Sequence, residues 1–207
     1  MDASEIITSE IIEEITRRSF KVIKKVYDFQ REANPENKKN LTEIGSRILF
    51  PKYSENRKTP EIDRISEQEL RFIFVEQLNK YADEKNIDLY YSVETPTEDS
   101  YDFSNTPEPS EGGVSARTDL SIYDNQFKRI CLIEFKALNP VDKSYEKDIL
   151  KLKRESAGLK YFIQIIKNYN DRTKENLNNK TETMKEVINY KCYCLEKGEE
   201  VKLKWQE

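Results

Sequence analysis

Asp119, Glu134 and Lys136, two carboxylates and one amine, are the side chains of this sequence whose types and spacing suggest chemistry. Glu134 and Lys136 sit inside residues 130–137 (I-C-L-I-E-F-K-A), a run apolar on both faces, as expected of a strand in the interior of a sheet. Two positions apart on a strand means the same face, with alpha carbons about 6.7 Å apart. Charges are rarely set in such a run without a partner or a task. Asp119 belongs to the preceding stretch, residues 116–123. There Thr118, Leu120 and Ile122 alternate with Arg117, Asp119, Ser121 and Tyr123. Asp124-Asn125-Gln126-Phe127 supplies turn chemistry between the two stretches.

A hairpin closed by a two- or four-residue loop pairs Leu120 with Cys131 and Asp119 with Leu132. Asp119 then shares a face with Glu134 and lies diagonal to it, about 7 Å away or less at the beta carbons. Two carboxylates at that separation can hold one divalent cation, with Lys136 alongside. A three-residue loop would turn Asp119 to the opposite face, so the site predicts an even loop. The alternative is an ion pair of Glu134 with Arg117 or Lys136, with no chemistry attached.

The order Asp119, a short gap, then Glu134-Phe135-Lys136 resembles the PD-(D/E)xK nuclease superfamily, the restriction-endonuclease-like proteins. In that family the Asp opens the second core strand and the E-x-K lies on the third. The family's proline before the Asp is replaced here by Thr118. The tripeptide alone is a weak signal in a chain with 36% charged residues. Glu36-Asn37-Lys38, Asp83-Glu84-Lys85 and Glu200-Val201-Lys202 match it too, but none of them follows a strand that carries an Asp. The resemblance implies that Asp119 and Glu134 ligate Mg²⁺, with Mn²⁺ as a substitute. It further implies the Phe135 carbonyl as a third ligand and Lys136 as the group that orients or deprotonates the attacking water. Many family members carry a Glu near the start of the first core helix that joins the metal site. Glu69 is the matching position, with Glu76 in reserve, although Glu69 also fits a helix-capping role with Ser66.

The elements that must position these groups are legible in outline. Residues 66–86 read as a helix with Leu70, Ile73, Phe74, Leu78 and Tyr81 inward, and residues 88–95 as a first core strand. Residues 96–114 are acidic and turn-rich, nineteen positions without an element, and are expected to be disordered or weakly ordered. Tyr101 and Phe103 in it could stack on bases. Residues 143–155 read as a helix with Tyr145, Ile149 and Leu152 inward and Lys143, Lys147, Lys151 and Arg154 on the opposite face. That cationic stripe could follow phosphates or simply face solvent. Residues 159–167 are a fourth buried strand, 170–189 a polar helix, and 190–205 a terminal hairpin around Lys197-Gly198. Helix, three strands, helix, strand over 66–167 is the αβββαβ order of the family, so an α/β fold with a central mixed sheet flanked by helices is expected.

Residues 1–65 are expected to form a helical N-terminal extension, and 66–207 the nuclease-like domain. In the extension, residues 4–33 are amphipathic, with Ile7, Ile11, Ile15, Val22, Val26 and Phe29 on one stripe. Arg17, Arg18, Lys21, Lys24 and Lys25 form a basic patch, read as a solvated face, a DNA-backbone contact or a homodimer helix. Residues 41–50 read as a further short helix.

Composition limits the functions available. The 207 residues carry no histidine, which removes histidine-based acid–base catalysis and histidine-containing zinc sites. Three cysteines without metal-ligand spacing point to a reducing cytosol; the N-terminus lacks the basic-then-apolar order of a signal peptide, and no apolar run approaches a membrane span. A net charge of −4 does not advertise a nucleic-acid binder. The sequence thus supports a cytoplasmic, magnesium-dependent nuclease acting on DNA. A catalytically silent nuclease-fold scaffold, with a protein or nucleic-acid partner, is the alternative, and an RNA-directed nuclease a weaker one.

Overall fold

The computed structural model describes residues 7–31, 41–51, 64–102 and 108–207. Its centre is a seven-stranded mixed sheet in the order β2-β1-β3-β4-β5-β6-β7. The strands are β1 (Tyr90–Asp102), β2 (Glu108–Pro109), β3 (Val114–Tyr123), β4 (Arg129–Ala137), β5 (Leu159–Ile166), β6 (Asn189–Cys194) and β7 (Glu199–Glu200). β1, β3 and β4 pair antiparallel, while β4, β5 and β6 run parallel. Parallel neighbours need crossover helices. These are α4 (Asp142–Arg154) between β4 and β5, and α5 (Asp171–Thr181) between β5 and β6. The remaining helices are α1 (Ser9–Arg31), the single turn α2 (Leu41–Ile44) and α3 (Glu67–Lys85).

Two apolar layers sandwich the sheet. On one face Leu120, Ile122, Ile133, Phe135 and Ile163 pack with Leu70, Ile73 and Phe74 of α3 and Ile12, Ile15 and Ile23 of α1. On the other, Leu132, Phe162 and Tyr190 pack with Tyr145 and Leu152 of α4 and Leu177 of α5. The N-terminal helix therefore shares one core with α3 and the sheet. Its buried face is centred on Ile12, Ile15, Ser19, Ile23 and Val26, rotated from the stripe read in the sequence. Thr16 and Ser19 lie on that face and return their hydroxyls to the Ile12 and Ile15 carbonyls, which makes two polar residues compatible with burial. The basic patch is largely tied up: Arg17 and Arg18 pair with Glu14, Arg18 also with Glu84, and Lys24 with Asp28.

The helix α3 starts and stops where its sequence dictates. Glu69 closes the first turn onto Ser66, accepting from its N–H and its hydroxyl, and Asn86 ends the helix in the left-handed region at φ 50°. The expected helix over 41–50 is only one turn long, because Gly45 at φ +88° ends it. The polar helix expected over 170–189 stops at Thr181 and gives way to a 3-10 turn, Glu182–Met184. In the terminal hairpin the second strand is just Glu199–Glu200, across a turn that places Gly198 at φ +71°.

The largest departure concerns residues 96–102 and 108–114, expected to lack structure. β1 continues to Asp102, pairs again with β3 through Ser100 and Tyr101, and takes β2 as a further partner. The register shifts between Pro96 and Ser100, a bulge that accommodates the proline. The backbone freed there is satisfied by Glu155, whose buried carboxylate accepts from Glu98 N at 2.9 Å and Asp99 N at 3.3 Å. Tyr101, considered above for base stacking, is fully buried and donates its hydroxyl to the same carboxylate at 3.2 Å. Phe103 lies outside the described residues. Gly113 faces the backbone of Tyr101 so closely that a Cβ would stand 2.4 Å from the Tyr101 carbonyl oxygen. Gly113→Ala is therefore expected to lower stability by about 1–3 kcal/mol, read as a drop in melting temperature.

No helix among the described residues is long and apolar enough to cross a membrane.

Candidate functional site

The β3–β4 hairpin places the first carboxylate. Its register pairs Leu120 with Ile133, Ser121 with Leu132 and Ile122 with Cys131, two residues away from the pairing expected. The connection from Asp124 to Lys128 holds five residues, an odd number, in place of the even loop expected. A bulge between Ile122 and Tyr123 offsets that oddness, so Asp119 keeps the face of Glu134. The loop is fixed by Asp124, whose Oδ1 accepts from Gln126 N and Lys128 N, both at 2.9 Å, and it admits Phe127 at φ 58°. One step beyond Leu120, the Asp119 carboxylate accepts from the Phe135 N–H at 2.8 Å. This acid is thus pinned to β4 at the residue between Glu134 and Lys136.

Glu134 and Lys136 project towards α4, because Ile133 and Phe135 fill the opposite face. α4 answers with Asp148 and Lys151, both buried. Lys151 Nζ lies 2.6 Å from Glu134 Oε1 and 2.8 Å from Asp148 Oδ1, and donates to the Arg117 carbonyl at 2.7 Å. Lys136 pairs closely with Asp148 and stands 3.9 Å from Glu67 at the start of α3. Arg71, which pairs with Glu94 of β1, approaches Asp119 to 3.9 Å. Leu138, two residues after Lys136, is held at φ 62°, a strained position for a leucine. Its N–H donates to the Ile165 carbonyl, and its own carbonyl accepts from Gln164 Nε2, which fixes the chain as it leaves the site.

The three residues singled out in the sequence therefore converge on one side of the sheet, joined by partners the sequence did not advertise. Glu69 is engaged at the helix cap, where Ser66 N and Oγ donate to its carboxylate at 3.1 and 2.6 Å. The α3 carboxylate that interacts with Lys136, Asp119 and Asp148 is instead Glu67. Lys151 does not belong to an outward stripe with Lys143, Lys147 and Arg154. Lys143 and Arg154 are exposed and Lys147 half-buried, whereas Lys151 is only 3% exposed. The missed signal was helical spacing: Asp148 lies three residues beyond Tyr145 and three before Lys151, so it falls on the inward stripe with Ile149 and Leu152.

The cluster is short of positive charge. Glu67, Asp119, Glu134 and Asp148 face the ammonium groups of Lys136 and Lys151, while Arg71 is shared with Glu94. Burial, then repulsion from Asp148 and Asp119, pushes the Glu134 carboxyl well up, against the pull of Lys151. Burial also raises Asp119, opposed by the Phe135 N–H and Lys136. Burial alone would lower Lys136 and Lys151, but carboxylate neighbours outweigh it and both end raised: Asp148 leads for Lys136, Glu134 for Lys151.

A carboxyl raised on folding binds its proton more tightly in the folded chain, so its ionisation costs stability as pH rises above its ordinary value. For Glu134 that value is 4.5. Glutamine imitates the protonated form and bears no such cost. In metal-free buffer, Glu134→Gln is therefore expected to gain stability relative to the wild type between about pH 4.5 and about pH 8. Paired thermal melts at both ends check this; a variant that loses ground as pH rises would show the Glu134–Lys151 pair to be net stabilising.

Among the described residues, no group of three or more histidine, cysteine, aspartate or glutamate side chains is placed to hold a metal ion. A hard cation of the kind that takes only one or two carboxylates and fills the rest of its shell with water would need fewer protein ligands than that. Asp119 and Glu134 offer such oxygens, and their raised affinity for protons marks a site that an added positive charge would relieve. Compared with protein-family models, curated proteins and solved structures, the chain has no significant match.

Proposed function

We propose that this chain is a metal-dependent nuclease with a restriction-endonuclease-like core, hydrolysing phosphodiester bonds of DNA in restriction, phage defence or repair. The observation that carries the reading is the convergence of Asp119, Glu134 and Lys136 on one side of adjacent strands β3 and β4, with Asp119 bonded to the backbone of the E-x-K segment. The element order α3, β1, β3, β4, α4, β5 supports it, since it follows the αβββαβ arrangement once the two-residue β2 is set aside.

In this reading Asp119 and Glu134 hold Mg²⁺ or Mn²⁺, with the Phe135 carbonyl as a further donor. The ion, when bound, supplies charge neutralisation at the scissile phosphate and a more acidic water. The chain's own residues do the rest. Lys136, held by Asp148 on one side and close to Glu67 on the other, presents a charged amine to the attacking water and to the negative charge that develops on phosphorus-bound oxygen. Its raised affinity for protons favours the stabilising role over that of a base. The Phe135 N–H fixes one Asp119 oxygen and leaves the other for a ligand. Lys143, Lys147 and Arg154, without Lys151, remain candidates for contact with the nucleic-acid backbone.

A second reading, a nuclease-fold module without catalysis, is favoured by one observation: Glu134 and Lys136 are already engaged in ion pairs, with Lys151 and Asp148. Incubation with linear, circular and single-stranded DNA and with RNA, with and without Mn²⁺, separates the two. The nuclease reading expects Mn²⁺-dependent cleavage of at least one DNA form. No cleavage of any substrate, together with no metal-dependent thermal shift, would favour the scaffold.

A further inference from the structure

Lys151 meets three partners at once. Its ammonium donates to the Arg117 carbonyl at 2.7 Å and forms ion pairs with Glu134 at 2.6 Å and Asp148 at 2.8 Å, while Glu134 Oε1, fully buried, has the charge of Lys151 beside it but no well-aimed hydrogen bond. Those partners come from β3, β4 and α4, so one side chain ties together the two strands and the helix that frame the site. At 3% exposure it cannot act as a surface contact for nucleic acid. What it does is place a unit positive charge against a carboxylate read above as a metal ligand.

We propose that Lys151 is a positioning residue whose tethered ammonium stands in for a cation at Glu134 and competes with the divalent metal for that carboxylate. The inference rests on the metal-site reading. Divalent ion and ammonium draw on the same carboxylate charge, and at contact distance inside a protein their mutual repulsion is large. Metal entry therefore requires Lys151 to yield part of its hold on Glu134 and fall back on Asp148 and the Arg117 carbonyl, which keep it inside the fold. The resting site is thereby kept from closing on metal tightly, and substrate phosphate becomes the partner that completes the metal shell. Asp148 sits between the two lysines, so it holds the displaced ammonium and Lys136 at once.

The sign of the effect distinguishes competition from a merely structural role. If Lys151 only pinned the site together, its removal would disorganise Glu134 and weaken metal binding. If it competes, removal strengthens binding. Mn²⁺ affinity, measured by electron paramagnetic resonance on full-length protein stripped with EDTA and free of nucleic acid, reads this directly. Lys151→Met and Lys151→Gln are expected to bind Mn²⁺ about tenfold or more tightly than the wild type. Lys151→Arg, which keeps the charge, is expected to stay within about threefold. Unchanged or weaker binding in the Met and Gln variants overturns the proposal while leaving the metal site standing. Absence of binding in all four proteins overturns both. Should the neutral variants fail to fold, the wild type still decides: the Lys151 ammonium resonance, sheltered in EDTA, should move on saturation with Mg²⁺, and an unmoved resonance counts against competition.

Discussion

Lys136→Ala should lower the rate of DNA hydrolysis by about 10²–10⁴-fold while leaving the chain folded. The size follows from the role: a positioned amine that stabilises charge forming in the transition state contributes at that step and little to ground-state binding. The fold should survive because Asp148, which loses one partner, retains Lys151 at 2.8 Å. Asp119→Asn should have a comparable effect by another route. Its amide oxygen can still accept from the Phe135 N–H, so geometry is kept while the charge that would hold the cation is lost. Initial rates on one cleavable DNA, beside far-ultraviolet circular dichroism of each variant, test both. A Lys136→Ala protein cutting within about threefold of the wild type removes that residue from the chemistry.

The second large effect lies away from the site. Glu155 is 1% exposed, and its carboxylate gathers Glu98 N, Asp99 N, the Tyr101 hydroxyl and Arg129, whose guanidinium also meets Glu98. Removing one member of a buried, hydrogen-bonded charge set leaves the others unpaired, at a cost of about 3–5 kcal/mol. Glu155→Ala is therefore expected to lower the melting temperature by about 10 °C or more in a chain of this size. Loss of hydrogen-exchange protection should be concentrated in β1 beyond Pro96 and in β2. A shift of under about 2 °C would mean that the bulge is held by something other than this carboxylate.

The same residue explains why part of the fold was opaque in the sequence. Residues 96–102 carry Pro96, three acids and few apolar side chains, so composition argues for a loop. They form strand because a carboxylate more than fifty positions away satisfies the bulged backbone and because Tyr101 is buried beneath it. Neither fact is local. Where local chemistry is decisive, sequence and structure agree: Ser66 and Glu69 begin α3, Asn86 ends it, and the apolar run of β4 lies inside the sheet. The hairpin is an intermediate case. Alternation predicted which face Asp119 takes, but a five-residue loop and a compensating bulge together mimic the even loop, and only the structure separates those routes.

The site was legible to the same extent. Charges in an apolar strand gave Glu134 and Lys136, and an alternating strand gave Asp119. Lys151 was misplaced because three of the four cations at its spacing do face outward or sit half-buried, and spacing alone does not reveal a lysine that turns in to meet a buried acid. Glu69 and Glu67 differ by two positions near the start of α3, and the cap consumes the first while the second remains near Lys136.

The most direct test is a crystal of the protein soaked in Mn²⁺, examined by anomalous scattering. The account predicts one strong peak between β3 and β4, about 2.1–2.4 Å from carboxylate oxygens of both Asp119 and Glu134, with the Lys151 ammonium shifted away from Glu134. A saturated crystal with no peak there, and with the Glu134–Lys151 contact still at 2.6 Å, would contradict it.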